Sequence, residues 1–113
     1  MDFLEDGYLL RIFIGESDKW QSLPLYEWLV KEAKILELAG VTVLRGIMGF
    51  GASSRIHSSK IERLSMDLPI VVEIVDSRDR LEDFLRHIDE SISGGLATLE
   101  KAQVRLYRKN ADE

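Results

Sequence analysis

Two short segments of the chain, residues 8–14 and 70–75, are apolar at almost every position. Both have the aliphatic and aromatic composition of strands, and each contains one charged residue, Arg11 or Glu73. An antiparallel strand with one face in water alternates apolar and polar residues, whereas here both faces are apolar. Since a chain of 113 residues has no third layer for the second face, we expect another subunit to cover it.

Helical periodicity marks two further segments. A first helix is predicted to begin near Pro24, to continue through residues at helical spacing and to stop at Gly40. A second helix is predicted to be capped by Asp76 or Ser77 and to stop at Gly94–Gly95. Its apolar positions form the clearest periodic pattern in the chain: Leu81, Phe84, Leu85, Ile88 and Ile92.

The remaining strands complete a known arrangement. One is predicted to run from Val41 toward Ile47, and the last over residues 99–107. The resulting order, β-α-β-β-α-β, predicts an α+β ferredoxin-like sandwich whose antiparallel sheet carries two helices on one face. We predict a single domain over residues 1–113.

Composition excludes several classes of partner. Fifteen basic and twenty acidic side chains give a net charge of −5, so we expect no nucleic-acid binding. The apolar runs are too short for membrane insertion, and the first residues are acidic where a secretory leader would be basic. The absence of cysteine rules out disulfides. A cytoplasmic protein is the simplest interpretation.

A glycine-rich segment follows the second strand and carries the strongest local signal. It contains Arg45, Gly46, Gly49, Phe50 and Gly51. Glycines at this spacing let backbone amides approach an anion closely, but they also suit a bulge that leads into a loop. The spacing matches neither a Walker loop nor a dinucleotide fingerprint, and by itself it does not decide between the two interpretations.

Residues 51–65 are rich in serine and are predicted to form a long flexible loop. His57 lies in this segment, where it suits either a phosphate donor or an ordinary surface histidine. His87 falls on the second helix and is interpreted as structural or solvated. Two histidines thirty residues apart, without cysteine, do not predict a metal site.

Arg11 interrupts an apolar strand, so we expect it to have a partner. Glu73 of the third strand is the predicted one, in preference to a ligand. Gly94 and Gly95 form a second turn, whose simplest explanation is the end of the preceding helix.

Four segments, residues 7–16, 24–27, 40–51 and 67–76, resemble domain-of-unknown-function (DUF) family 190, also catalogued as an uncharacterised UPF group. The likeness extends over nearly the whole chain. It implies a ferredoxin-like fold of the PII signalling type, a homotrimer, and an adenine nucleotide (AMP, ADP or ATP) bound between subunits. It leaves a metal requirement open.

The more distant resemblance to PII proteins themselves implies where the nucleotide would bind. Residues 51–65 occupy the place of the long PII loop between the second and third strands. Arg105 matches one of two arginines in the last PII strand, and Tyr107 falls near the other. The PII phosphate-binding turn corresponds to Gly94, Gly95, Leu96 and Thr98. Together with Arg45, Gly46, Gly49, Phe50, Gly51, His57 and Arg105, these are the predicted nucleotide-binding residues.

The combined prediction is a sensor without catalytic activity that passes its signal through the long loop to an unidentified target protein or transporter. One alternative is a small acylphosphatase-like phosphohydrolase, which shares the fold but needs an arginine-bearing phosphate loop after the first strand, where Gly15 and Glu16 stand. A purely structural assembly module is the other alternative. An RNA-recognition module is disfavoured because residues 70–75 contain no aromatic side chain.

Overall fold

The structure is a computed structural model that describes residues 2–50, 67–107 and 109. Its main sheet has four antiparallel strands in the order β5-β6-β2-β7. The strands of the described residues are β1 (Asp2–Leu4), β2 (Gly7–Gly15), β3 (Lys19–Trp20), β4 (Leu23–Pro24), β5 (Gly40–Arg45), β6 (Pro69–Ser77), β7 (Leu96–Lys101) and β8 (Val104–Leu106). The helices are α1 (Leu25–Ile35) and α2 (Arg78–Ile88). The predicted α+β ferredoxin-like order is therefore confirmed.

Both helices pack on one face of the main sheet. The core consists of alternate residues of the two central strands and the inward stripes of the helices, and it includes Leu10, Ile12, Val72, Leu29 and Phe84. Each of these side chains is fully buried, so burial of apolar area fixes the register of β2 against β6. Among the described residues, neither helix is long and apolar enough to cross a membrane.

Helix α1 ends earlier than its sequence indicated. The predicted stop at Gly40 is wrong: the helix ends at Ile35, and Gly40 begins β5. Glu37 takes the left-handed conformation at φ 56°. The Leu38 amide donates to the Ala33 carbonyl at 3.0 Å, and the Glu37 amide donates to that of Lys34, also at 3.0 Å. This is a Schellman termination that lacks its usual glycine.

Helix α2 begins as predicted but ends differently. Ser77 caps it by accepting a hydrogen bond from the Arg80 amide, while the buried Asp76 carboxylate accepts one from the Ala39 amide at 2.9 Å. The predicted stop at Gly94–Gly95 is wrong, because the helix ends at Ile88 and is followed by one 3₁₀ turn, Asp89–Ser91.

The last predicted strand, residues 99–107, is two strands. The chain leaves the main sheet after Lys101, where the Ala102 amide donates to the Gly7 carbonyl at 2.9 Å. It then forms β8, which pairs with the N-terminal strand β1 in a separate two-stranded sheet. The backbones of Gly7 and Ala102 approach closely where the chain changes sheets: a Cβ at Gly7 would lie 2.7 Å from the Ala102 carbonyl oxygen.

The helix-free face of the main sheet carries three rows of side chains, because directly paired residues of neighbouring strands share a face. The row nearest the end of β2 is apolar: Leu44, Val71, Phe13 and Leu96. The middle row is polar: Thr42, Glu73, Arg11 and Thr98. The third is mixed: Gly40, Val75, Leu9 and Glu100. Leu44 and Leu96, at the two edges of the apolar row, are exposed.

Arg11 lies at the centre of this face and has the partner that its position predicted. Its Nε is 3.0 Å from Glu73 Oε2, and its Nη1 is 2.5 Å from Glu100 Oε1, a second partner on β7. The hydrogen bond with Glu73, followed by that with Glu100, raises the pKa of the Arg11 guanidinium above its already high ordinary value. Arg11 therefore acts as a permanent cation between two carboxylates.

Candidate functional site

The glycine-bearing segments predicted to bind a ligand both lie at one end of the main sheet. Strands β2 and β5 end there, while β6 and β7 begin there, because neighbouring strands are antiparallel. Arg45 pairs with Ile70 near the start of β6, and Leu96 pairs with Phe13 near the end of β2. The fold therefore places the two segments at the same level of the sheet.

Within one chain, however, the two segments stay apart. Arg45 ends β5, one edge of the sheet, and residues 46–50 follow it, whereas Gly94 and Gly95 precede β7, the other edge, which begins at Leu96. Strands β6 and β2 lie between them. At about 4.8 Å per strand, the two edges are about 14 Å apart. The predicted residues of these segments thus fall into two groups, which we call the β5 half-site (Arg45, Gly46, Gly49 and Phe50) and the β7 half-site (Gly94, Gly95, Leu96 and Thr98).

The half-site on the β5 edge is built around Pro69. The Gly46 amide donates to the Pro69 carbonyl at 2.7 Å, and a Cβ at Gly46 would lie 2.7 Å from Pro69 Cγ. Gly49 has a φ of +152°, and its Cβ would lie 3.3 Å from the same atom. Close packing on Pro69 and a left-handed backbone are sufficient reasons for both glycines. The bulge interpretation therefore explains this part of the motif without a ligand.

The side chains of the same segment face solvent. Ile47 is 95% exposed, Met48 84% and Phe50 80%. Three neighbouring apolar side chains exposed to this degree are unusual for a monomeric protein. The Phe50 ring is thus free to contact a ligand or a second chain.

The half-site on the β7 edge depends on Gly95. Its φ is +143°, and a Cβ there would lie 2.4 Å from the Phe13 carbonyl oxygen. Gly95 is therefore required where the chain enters β7 beside β2, and not at a helix end. Leu96 and Thr98 follow it on the helix-free face, and both side chains are exposed.

Arg45 is already paired with an acidic residue. Its Nη2 contacts the Glu16 carboxylate in the turn between β2 and β3. Asp67, which precedes β6, packs against this turn, where its Oδ1 accepts a hydrogen bond from the Ser17 amide at 2.5 Å. Glu16 stands at the end of the first predicted strand, but its contact with Arg45 was not predicted from the sequence. Asp67 was missed as well, since no local pattern joins residues fifty positions apart.

Arg105 lies at the opposite end of the molecule from both half-sites. It is on β8 beside the Asp2–Leu4 strand, and its guanidinium sits 5.4 Å from the centre of the Phe3 ring. A single chain does not bring Arg105 to the glycine segments, so its role remains a prediction. Gly51 and His57 lie outside the described residues, as does the loop predicted at 51–65.

His87 has partners within the fold. Its Nε2 is 2.7 Å from Glu32 Oε1, and its ring stacks on Trp28 with centroids 6.3 Å apart. The pair joins α2 to α1 on the side of the sheet away from the helix-free face. The structural interpretation of His87 agrees with these contacts.

The sequence matches the DUF190 family, described as "Uncharacterized ACR", over residues 7–104. An UPF0166 protein of Aquifex aeolicus is 40% identical over 96 residues, which cover 85% of this chain and 90% of the relative. An UPF0166 protein of Methanocaldococcus jannaschii is 32% identical over 84 residues, covering 74% of this chain and 77% of the relative.

Solved structures share the fold at low identity. CPII of Thiomonas intermedia, bound to ADP, AMP and acetate, superposes with a TM-score of 0.63 at 13% identity over 94% of each chain. A protein of Thermus thermophilus described as PII-like gives a TM-score of 0.57 at 23% identity, over 92% of this chain and 93% of the other. The fold is therefore that of PII-like proteins, and by its sequence the chain belongs to the DUF190 family.

Proposed function

We propose that this protein is a PII-like sensor that binds an adenine nucleotide in clefts between the subunits of a homotrimer. One observation carries the proposal: two groups of predicted binding residues, at Arg45–Phe50 and at Gly94–Thr98, lie at the same end of the sheet but on its opposite edges. Two such halves meet only when the β5 edge of one chain lies beside the β7 edge of the next. A head-to-tail contact of this kind closes into a ring when the rotation between subunits allows it.

The helix-free face supports the same assembly. Its apolar row ends at two exposed leucines, Leu44 on β5 and Leu96 on β7. In a ring of three chains this face points inward, so the row would be covered by its counterparts. Covering exposed apolar area is favourable by about 25 cal/mol per Å². Assembly and formation of the cleft would then share one driving force.

The chemistry of the half-sites suits a nucleotide. Arg45 supplies a positive charge that can hold phosphate, and the exposed Phe50 ring offers a flat apolar surface for a base. Backbone amides at Gly95 on the facing edge would supply further donors. CPII, which shares the fold, is bound to ADP and AMP in its solved structures. An adenine nucleotide is accordingly the ligand class that we propose, and AMP, ADP and ATP are the candidates.

Signal output is proposed to run through residues 51–65 to a target protein or transporter. This segment begins directly after Phe50, so a ligand that contacts Phe50 would lie next to the first residue of the segment. The segment lies outside the described residues, and its part in signalling is proposed from family resemblance alone.

Calorimetry with AMP, ADP and ATP tests the ligand, and light scattering on the same samples tests the trimer. Phe50→Ala should weaken nucleotide binding by about five- to hundredfold, because stacking on one aromatic ring stabilises a bound base to that extent. Ile35→Ala is the matched control, since Ile35 is also an exposed apolar residue but lies on α1. Absence of binding by all three nucleotides, or equal binding by Phe50→Ala and the unmodified protein, would contradict the proposal.

The acylphosphatase-like alternative gains no support from the turn after β2. A phosphate loop needs free amides there, but the Gly15 amide donates to Asp18 Oδ2 at 3.0 Å and the Ser17 amide to Asp67. The Glu16 amide donates to the Leu68 carbonyl at 2.8 Å. Each amide has an acceptor, and two of these acceptors are carboxylates. We propose no catalytic activity, and acetyl phosphate hydrolysis above background would contradict this.

A further inference from the structure

Arg45 and Glu16 form an ion pair that joins the end of β5 to the turn between β2 and β3. The Arg45 side chain is 61% exposed and that of Glu16 is 29% exposed. The pair thus lies at the surface, where a dissolved anion can reach the arginine. Arg45 is the one charged residue of the β5 half-site in the described part of the chain. An acidic partner of Arg45 therefore affects how strongly this half-site binds an anion.

Glu16 is held in place independently of Arg45. Its own amide donates to the Leu68 carbonyl at 2.8 Å, and the next amide, that of Ser17, donates to Asp67. A Cβ at Gly15 would lie 2.0 Å from Asp67 Oδ2, so the Asp67 carboxylate lies directly across the turn. These contacts fix the backbone of Glu16, so only its side chain has to be ordered for the carboxylate to meet Arg45.

We propose that Glu16 is a built-in counter-ion that competes with the ligand's phosphate for Arg45. This inference rests on the proposed nucleotide site. In the free protein Glu16 occupies the guanidinium, and a phosphate must replace it to form its own charge-assisted hydrogen bonds. Glu16 thereby lowers the affinity for ligands that carry phosphate, and it leaves the affinity for an uncharged nucleoside unaffected.

The neighbouring charges strengthen this competition. Asp18 lies on the same turn as Glu16, and Asp67 hydrogen-bonds to that turn, so three carboxylates lie at the turn that Arg45 contacts. When a phosphate takes Arg45, Glu16 loses its partner while it remains close to the other two carboxylates. Like charges repel, which adds to the cost of the exchange. Binding of an anion at the end of β5 is thus coupled to the charge balance of the turn after β2.

Calorimetry with ADP and with adenosine tests the competition. Glu16→Gln keeps the size of the side chain and removes its charge, and we expect it to bind ADP about two- to fivefold more tightly, the range that an exposed ion pair contributes. Adenosine should bind it as it binds the unmodified protein. Glu27→Gln is the matched control, because Glu27 is exposed on α1 and its substitution changes the net charge equally.

A second substitution separates direct competition from a general effect of charge. In an Arg45→Gln background, Glu16→Gln should no longer tighten ADP binding, since there is no guanidinium to compete for. The inference is overturned if Glu16→Gln and Glu27→Gln act alike, if adenosine binding tightens as much as ADP binding, or if the gain persists without Arg45. These outcomes differ from failure of the proposed function, in which the unmodified protein binds no nucleotide.

Discussion

Gly95→Ala should destabilise the fold far more than the same change at Gly40. Gly95 has a φ of +143°, which alanine rarely adopts, and its added Cβ would lie 2.4 Å from the Phe13 carbonyl oxygen. That oxygen belongs to the central strand β2, so it cannot move without disturbing the sheet. Gly40 also stands in a strand, but a Cβ there meets nothing within 4 Å.

The two effects at Gly95 add. A backbone conformation reserved for glycine costs about 1–3 kcal/mol when another residue adopts it, and overpacking against a fixed neighbour costs about 1–3 kcal/mol more. The free energy of unfolding should fall by about 2–6 kcal/mol, from a total of about 5–15 kcal/mol for a domain of this size. Gly40→Ala should raise it by up to about 1 kcal/mol, because alanine restricts the unfolded chain.

Urea denaturation followed by tryptophan fluorescence measures both variants, at one chain concentration because assembly shifts apparent stability. The free energy of unfolding falls by about 2 kcal/mol per molar urea for a small domain. Gly95→Ala should therefore lower the urea midpoint by about 1–3 M. Equal midpoints for the two variants would refute the reasoning and would mean that the entry to β7 relaxes freely. A loss of nucleotide binding by Gly95→Ala is informative only after this measurement.

Three other substitutions have expected outcomes. Glu37→Gly should raise the free energy of unfolding in urea by about 0.5–1 kcal/mol, because glycine relieves the left-handed strain at the end of α1, and an unchanged midpoint would contradict this. Leu44→Asp should lower the mass seen by light scattering to that of one chain, whereas Ile35→Asp on α1 should not; a trimer that survives Leu44→Asp would exclude the helix-free face as its interface. Arg11→Met should reduce stability by the same amount throughout about pH 7–10, because a raised pKa keeps the arginine charged below that pKa and its contribution is lost only above it. A stability difference that shrinks toward pH 10 would count against the assigned pair.

The sequence predicted those elements whose side chains alternate or recur in a regular pattern. Residues 8–14 and 70–75 are central strands, as their apolar composition predicted: alternate side chains are buried under the helices, and those between them are partly buried on the helix-free face. Arg11 and Glu73 could be paired in advance, since each is the one charge in such a strand. Glu100 escaped notice because it stands in an exposed strand where charged residues are common.

The errors fall where long-range contacts decide local conformation. Glu37 takes a position that usually needs glycine, so no local signal marked the true end of α1. Pairing of Asp2–Leu4 with Val104–Leu106 joins the two ends of the chain and has no periodic pattern. The same reason applies to the candidate site. The glycine-rich motif identified Arg45, Gly46 and Gly49. The contact of Arg45 with Glu16 arises only when β5 pairs with β6 and β6 pairs with β2.

In the proposed trimer, a cleft assembled from two different edges makes nucleotide binding a property of neighbouring pairs of chains. A chain damaged only on its β5 edge still offers an intact β7 edge to the subunit beside it, and the reverse holds as well. Two inactive variants, one for each edge, can therefore complement each other when their subunits mix. In a random equal mixture, about a quarter of the clefts combine two sound halves, although neither parent assembly contains one.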